Sequence, residues 1–586
     1  MGVKLAKTAG FCMGVKRAVD IVLDMASKKG HQTIYTYGPL IHNPQTIELL
    51  RERGIVPITD PEELENIPAG ASVVIRAHGI PPLEKKKLEE RGFAIIDATC
   101  PKVTRVQKII GKHAAAGFTI LIVGDREHPE VNGLSGFAGE AGVIIGSPEE
   151  VDLLPHLTKA CLVAQTTQSI DVYNKIVNKV KQRFPDAVIF DTICDSTEKR
   201  QAEIETLAEE SDAVFVVGGK NSANTRRLAE LATLRNKPTF HIETADELKG
   251  VNLNSYRHIG VSAGASTPNW IIDRVVDSLN SRMGVREEML HRLLKIWTFA
   301  VSADIYSAIG AGFLSLTAML LQGLPVSVPH VFAASFYVYA MHVFNRFINR
   351  KTSSISSFRE ESYLIHEKRY MAIAVFSIIA ALMIAFRAGT ESFLVLAAIS
   401  LLGVLYNTTF IPVGFGFKSL REIPGSKNVS TAFAWAVAAA LLPRLDNGSL
   451  LVPGLWISFL FTAGIVFVRS AMSDILDIQR DRLIGQETLP VLIGEEKTLI
   501  ILKFVSIFLF AMLLFSSLTG VSASLGFFQL LTIFYMWICF KLYDRRSAFS
   551  GVVLEGILES AYIIEGIASL GWLAATVFLP VCMVTT

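Results

Sequence analysis

The chain has 586 residues, several times the length of a single domain, and is 51% hydrophobic but only 19% charged. Its 56 Lys and Arg against 54 Asp and Glu leave a net charge of +2, which excludes the basic balance of a nucleic-acid binder and the acidic balance of a disordered chain. Six cysteines in so long a chain make no disulfide framework, and the first 14 residues lack the continuous apolar run of a signal peptide.

The average hides two compositions. Up to about residue 286 charged residues recur throughout and no apolar run exceeds a strand; beyond about 295 long apolar runs are broken by short basic loops. The expected division is a soluble domain over 1–282, a linker over 283–295 and a membrane domain over 296–586. In the first part, apolar runs that end in polar turns and lead into helical patterns predict strand–turn–helix units of the α/β class. Equivalent runs end at Cys12, Cys100 and Cys194, and each is followed by an amphipathic helix. A second strand then ends at His42-Asn43-Pro44, His128-Pro129-Glu130 or Ser222-Ala223-Asn224, and a third at His78, Thr166 or Ser266. The expectation is one βαβαβ unit written three times, each beginning at the strand that ends in cysteine.

Ligands of open α/β sheets bind beyond the carboxyl ends of the strands, so three such units about an axis aim their loops at a common centre. Three converging thiols in an intracellular protein suggest a soft metal or an iron–sulfur cluster rather than a disulfide. A lone free cysteine is usually a small buried apolar residue, and that reading holds for Cys161, which begins a strand instead of ending one. Histidine, serine and asparagine donors at strand ends suit a diphosphate. Glu130, the one carboxylate among them, is the natural proton carrier, because negative charge beside it raises its pKa.

These segments resemble a known family. GFCMGVKRA, IHNP, AHG, DATCPKV, EHPEV, QTT, GGKNSANTRRL and SAGAST fall in the order and spacing of 4-hydroxy-3-methylbut-2-enyl diphosphate reductase, the LytB/IspH family, over essentially all of 1–280. The resemblance implies a 4Fe-4S enzyme with Cys12, Cys100 and Cys194 as cluster ligands. It implies a diphosphate cage of His42, His78, His128, Ser222, Asn224 and Ser266, with Glu130 and Thr166 as the proton-delivery pair and Thr166 also at the substrate. It further implies isopentenyl and dimethylallyl diphosphates as products, and an external low-potential electron donor such as a ferredoxin or flavodoxin. Ala223 stands where some members have another serine.

In the second part nine membrane helices are expected, at 296–321, 329–348, 370–387, 392–411, 429–443, 452–468, 498–519, 523–540 and 562–582. The loops on one side hold 17 Lys and Arg, from Arg346 to Arg546, and those on the other only Arg387 and Arg444. This bias predicts a multi-pass protein of the bacterial inner membrane with its amino-terminal half in the cytoplasm. After the sixth helix, Asp474, Asp477 and Asp481 share one helical face and can present oxygens to Mg²⁺. This pattern, the TLPV that follows and the helix layout resemble the UbiA superfamily of intramembrane prenyltransferases over about 290–586. Tyr406-Asn407, Lys418 and the IPGSKN stretch with Lys427 resemble that family's phosphate-contacting central loop. Its second acidic motif, N-D-x-x-D-x-x-x-D, is lost: Asn345, Arg346, Asn349 and Arg350 stand there, and Arg346 and Arg350 could replace a metal as diphosphate partners. Three readings follow: a reductase fused to a prenyltransferase, a reductase on an inactive membrane tether, and an iron–sulfur sensor. A pure sensor has no need of the diphosphate cage.

Overall fold

The computed structural model describes residues 2–29, 32–282, 289–349, 366–406, 408, 420, 423, 425–447, 449–484, 486–522, 524–543 and 551–578. The chain divides into two compact units, Met1–Gly284 and Val285–Thr586.

The first unit carries twelve strands: β1 (Gly2–Leu5), β2 (Ile34–Tyr37), β3 (Ile55–Ile58), β4 (Ser72–Ile75), β5 (Ala94–Asp97), β6 (Thr119–Val123), β7 (Gly142–Ile145), β8 (Ala160–Ala164), β9 (Val188–Ile189), β10 (Ala213–Val217), β11 (Thr239–Ile242) and β12 (His258–Ala263). They form three four-stranded sheets, ordered β1-β12-β10-β11, β3-β2-β4-β5 and β7-β6-β8-β9, with all pairings parallel. Parallel strands need helical crossovers that cover both faces, and the inner strands are accordingly apolar throughout: AVFVV in β10 and ACLVA in β8 are buried at every position. Cys161 in β8 is fully buried and packs beside Ile120, Val131 and Val163, as expected of a core residue.

The threefold repeat is present with two corrections. Each sheet has a fourth, edge strand (β3, β7 or β11) that the repeat reading passed over; these runs are four residues long and adjoin short 3₁₀ turns, so they carry little periodic signal. The phase also differs. Each cysteine strand closes the preceding sheet rather than opening the next: β5 pairs with β4, β9 with β8, and β1 returns to pair with β12. A repeat has a period but no inherent start, and only the pairing fixes where a unit begins. The first and last strands of the unit therefore lie side by side, with Gly2 opposite His258 and Leu5 opposite Val261.

The second unit is helical. Four described helices are long and apolar enough to cross a membrane: Glu367–Ala388, Pro453–Leu476, Glu495–Leu518 and Leu525–Tyr543. A fifth span is the pair Ile296–Ser302 and Ile305–Leu321, bent by 80°, in place of the straight 296–321. The bend falls at Asp304, which adopts a left-handed backbone (φ 56°) rarely taken by residues other than glycine. The expected nine spans are thus not reached among the described residues. Thr390–Leu405 is shorter, Ser426–Ala436 passes into a π-helical turn at Val437–Leu441, and Gly551–Phe578 begins well before 562 and holds Glu555, Glu559 and Glu565.

Candidate functional site

In the first unit each of Cys12, Cys100 and Cys194 directly precedes a helix but stands past its strand rather than at the strand's end: β1 stops at Leu5, β5 at Asp97 and β9 at Ile189. Cys100 directly precedes the helix Pro101–Ala115, Cys194 precedes Asp195–Glu209, and Cys12 precedes Met13–Lys29. Proline at the first helical position holds Cys100 extended (ψ 132°) and starts the helix at once, so that free helical N–H groups point toward the sulfur. The backbone of Val15 donates to Cys12 Sγ across 3.5 Å. The loops meet closely: a side chain at Gly14 would stand 2.5 Å from Cys100 Sγ, so only glycine fits there. Burial pushes the Cys100 thiol up; the N–H groups of Lys102 and Val103 oppose this, and neighbouring Cys12 and Cys194 add to the rise. Between Cys12 and Cys194 lies Arg200, 4% exposed, its guanidinium donating to Gly10 O (2.7 Å) and Ala263 O (3.1 Å). Three thiols that repel one another as anions, ringed by N–H groups and a buried cation, form a donor set suited to a thiolate-bound cluster. No periodic pattern points to Arg200, whose contacts lie 190 and 63 residues away.

Around the same axis the loops after β2, β4 and β6 bring His42, His78 and His128 together, with ring centroids 4.6, 5.7 and 5.4 Å apart. His128 caps the helix Pro129–Ala138, again with proline first; its Nδ1 accepts from Glu130 N (3.2 Å), which leaves Nε2 to carry the proton. The loop after β10 abuts this trio: a side chain at Gly219 would meet His42 O at 2.6 Å. From that loop come Ser222, which caps the helix Ala223–Leu234, and Asn224, while Ser266 follows β12; all three are buried. His42 Nε2, His78 Nδ1, Asn43 Nδ2 and Asn224 Nδ2 are buried without a protein partner. Unpaired buried donors are costly, and here they mark a polar ligand's place.

Burial lowers the pKa of His42 to about 4 and of His128 to about 3, and Arg76 and Arg226 act in the same direction. His78 is held well below the ordinary histidine value by burial and by its two histidine neighbours. At neutral pH the free site therefore presents neutral imidazoles beside Arg76, Arg226 and Arg227, three cations that the sequence reading had not assigned. Arg227 is fixed by Asp125 at 2.7 Å.

Glu130 is 2% exposed. Thr166 N donates to its Oε1 (2.6 Å) and Thr166 Oγ1 to its Oε2 (2.9 Å). Burial pushes its pKa up to about 7, against the opposing Thr166 bonds and the Arg227 charge. A carboxyl at that value is protonated in part at neutral pH and can give up the proton.

In the second unit Asp474, near the end of the helix Pro453–Leu476, is buried and already engaged. Lys427 Nζ stands 2.6 Å from Oδ1 and Asn428 Nδ2 2.9 Å from Oδ2. Asp477 follows that helix and Asp481 lies in Ile478–Ile484. Asp481 Oδ2, Asn428 Oδ1 and Thr488 Oγ1 are buried oxygens without a partner. Arg346, a candidate diphosphate partner, donates to buried Asp304 (2.7 Å), which also meets His342 Nδ1 (3.4 Å). Arg350 and Lys418 lie outside the described residues. Arg469 and the buried Glu559 form an ion pair that sequence reading missed, because the partners lie 90 residues apart.

Residues 3–280 match the family described as LytB protein, and residues 307–552 match the UbiA prenyltransferase family. The 4-hydroxy-3-methylbut-2-enyl diphosphate reductase of Caldanaerobacter subterraneus subsp. tengcongensis is 41% identical over 287 residues, which are 49% of this chain and 99% of that protein. The reductase of the same name from Geobacter sulfurreducens is 40% identical over 279 residues, 48% of this chain and 97% of that one. A solved structure, the E-1-hydroxy-2-methyl-but-2-enyl-4-diphosphate reductase from Plasmodium falciparum, is 28% identical, covers 49% of this chain and 93% of its own, and has a TM-score of 0.46.

Proposed function

The chain belongs, through its amino-terminal half, to the 4-hydroxy-3-methylbut-2-enyl diphosphate reductase (LytB) family, and on that premise we propose that this half converts 4-hydroxy-3-methylbut-2-enyl diphosphate, two electrons and two protons into isopentenyl or dimethylallyl diphosphate and water. The observation that carries this reading is the set of unpartnered buried donors on His42, His78 and Asn224 beside a raised carboxyl, Glu130. The donors hold the diphosphate and exclude water. Glu130, fixed by Thr166, keeps one proton at a buried oxygen until the substrate hydroxyl needs it to leave as water. Cys12, Cys100 and Cys194 would hold a 4Fe-4S cluster, which would supply the single electrons.

The neutral imidazoles give this reading a test that needs no turnover. A bound diphosphate favours imidazolium and so raises the depressed histidine pKa values. Substrate binding to oxidised protein near neutral pH is expected to take up protons, measured as a dependence of calorimetric heat on buffer protonation enthalpy. Binding with no proton uptake would show that the trio stays neutral and does not face the diphosphate.

For the membrane half we propose binding of an isoprenoid diphosphate with Mg²⁺ at Asp477 and Asp481, in a bacterial inner membrane with the reductase half on the cytoplasmic side. The support is the pair of unpartnered oxygens on Asp481 and Asn428 beside the retained acidic face. Detergent-purified full chain should bind geranyl diphosphate more tightly with Mg²⁺ than with a chelator, and Asp481→Asn should remove that difference. The competing reading, an inactive tether, is favoured by the internal pairing of Lys427 with Asp474 and of Arg346 with Asp304. It prevails if no version binds a prenyl diphosphate under either condition.

A further inference from the structure

A groove of about 750 Å³ opens on the first unit beside the Cys100 loop, between the helices Met13–Lys29 and Pro101–Ala115. Thr99 and Pro101, the immediate neighbours of Cys100, line its inner end, and Ile109 and Phe190 form an apolar floor. Its walls are basic. Arg105, Lys108 and Lys112 stand at i, i+3 and i+7 on one face of the helix that starts at Cys100, and Arg17 faces them while donating to Thr99 O at 2.9 Å. Arg105, Lys108 and Lys112 are exposed and form no ion pair with any described residue. The one carboxylate in the groove, Asp97, already pairs with Lys85 at 3.3 Å.

We propose that this groove is the docking surface for a small acidic protein that delivers single electrons to the cluster. The inference rests on the reductase reading, which requires two electrons from outside the substrate. Two reduced carriers each lose one electron here, and with two protons these release the substrate hydroxyl as water. The patch has the anatomy of a transient interface, an apolar centre within a charged rim, and its uncompensated positive charge steers a negative partner. Its inner end adjoins a cluster ligand, so a partner seated there lies against the loop that holds the cluster.

The test compares two donors on anaerobically reconstituted full chain: a reduced acidic ferredoxin and dithionite-reduced methyl viologen, a small cationic dye. The triple variant Arg105→Glu, Lys108→Glu, Lys112→Glu should lose about 10- to 1,000-fold in kcat/KM for the ferredoxin, the range in which charge steering acts. Turnover with methyl viologen should be unchanged. Ferredoxin-driven turnover of the unmodified chain should fall with added salt, and that of the variant should not. Equal loss with both donors, or none with ferredoxin, overturns the proposal. A defect confined to nanodiscs of anionic lipid overturns it in favour of a membrane contact. If the unmodified chain turned over with neither donor, the reductase reading would fail; direct titration of ferredoxin onto the unmodified chain and the variant would still decide the docking surface.

Discussion

Single replacement of Cys12, Cys100 or Cys194 by serine is expected to remove the iron–sulfur cluster and with it all reductase turnover, while Cys161→Ser leaves the iron content unchanged. All three positions directly precede a helix; Cys100 and Cys194 are extended there, and helical N–H groups reach the sulfurs of Cys12 and Cys100. Serine keeps the size and the backbone but supplies a harder, less acidic ligand that does not suit a soft iron site. Because the three positions follow strands of three different sheets, loss of one ligand cannot be made good by a neighbour; Cys161 faces the hydrophobic core instead. Iron and sulfide content of anaerobically reconstituted protein, with its electron paramagnetic resonance after reduction, checks this. A single variant that retained a full four-iron content would remove that cysteine from the ligand set.

Glu130→Gln is expected to lower turnover by about 10²-fold or more, the usual scale for loss of a general acid, with a smaller effect on substrate binding. Glutamine preserves size and can still accept from Thr166, but it has no proton to give. The pH profile carries the sharper signature. With its folded pKa raised to about 7, Glu130 is protonated below that value, so turnover limited by its proton should fall as pH rises through about 7. The Gln variant should lose that limb and be flat there. Equal losses in binding and turnover, with the limb retained, would make Glu130 a positioning residue.

Much of this site was legible because its residues sit where sequence carries local signals. Cys12, Cys100 and Cys194 recur beyond matching strands, and proline after Cys100 and His128 marks a helix start at the site itself. The phase of the repeat was not legible, since pairing β1 with β12 depends on residues more than 250 positions apart. Arg76, Arg200 and Arg227 escaped for the same reason: an arginine in an amphipathic helix or loop looks solvated until its distant partners are known. In the membrane half the apolar runs gave the helices their approximate places. The 80° bend at Asp304 was hidden by average hydropathy, which smooths a single charged residue into its apolar neighbours, and the Arg469–Glu559 pair by the 90 residues between its partners. The loss of the second acidic motif was visible, but not that Asp304 would pair with Arg346 from the bend between two other helices.

The amino-terminal half is expected to reduce a hydroxylated five-carbon diphosphate within a pre-formed cage. The most direct measurement is mass-spectrometric analysis of products after anaerobic incubation of the reconstituted full chain with 4-hydroxy-3-methylbut-2-enyl diphosphate and reduced methyl viologen. Isopentenyl and dimethylallyl diphosphates, formed with two viologen equivalents oxidised per product, are the expected result. Unchanged substrate from protein carrying a full 4Fe-4S cluster would contradict it.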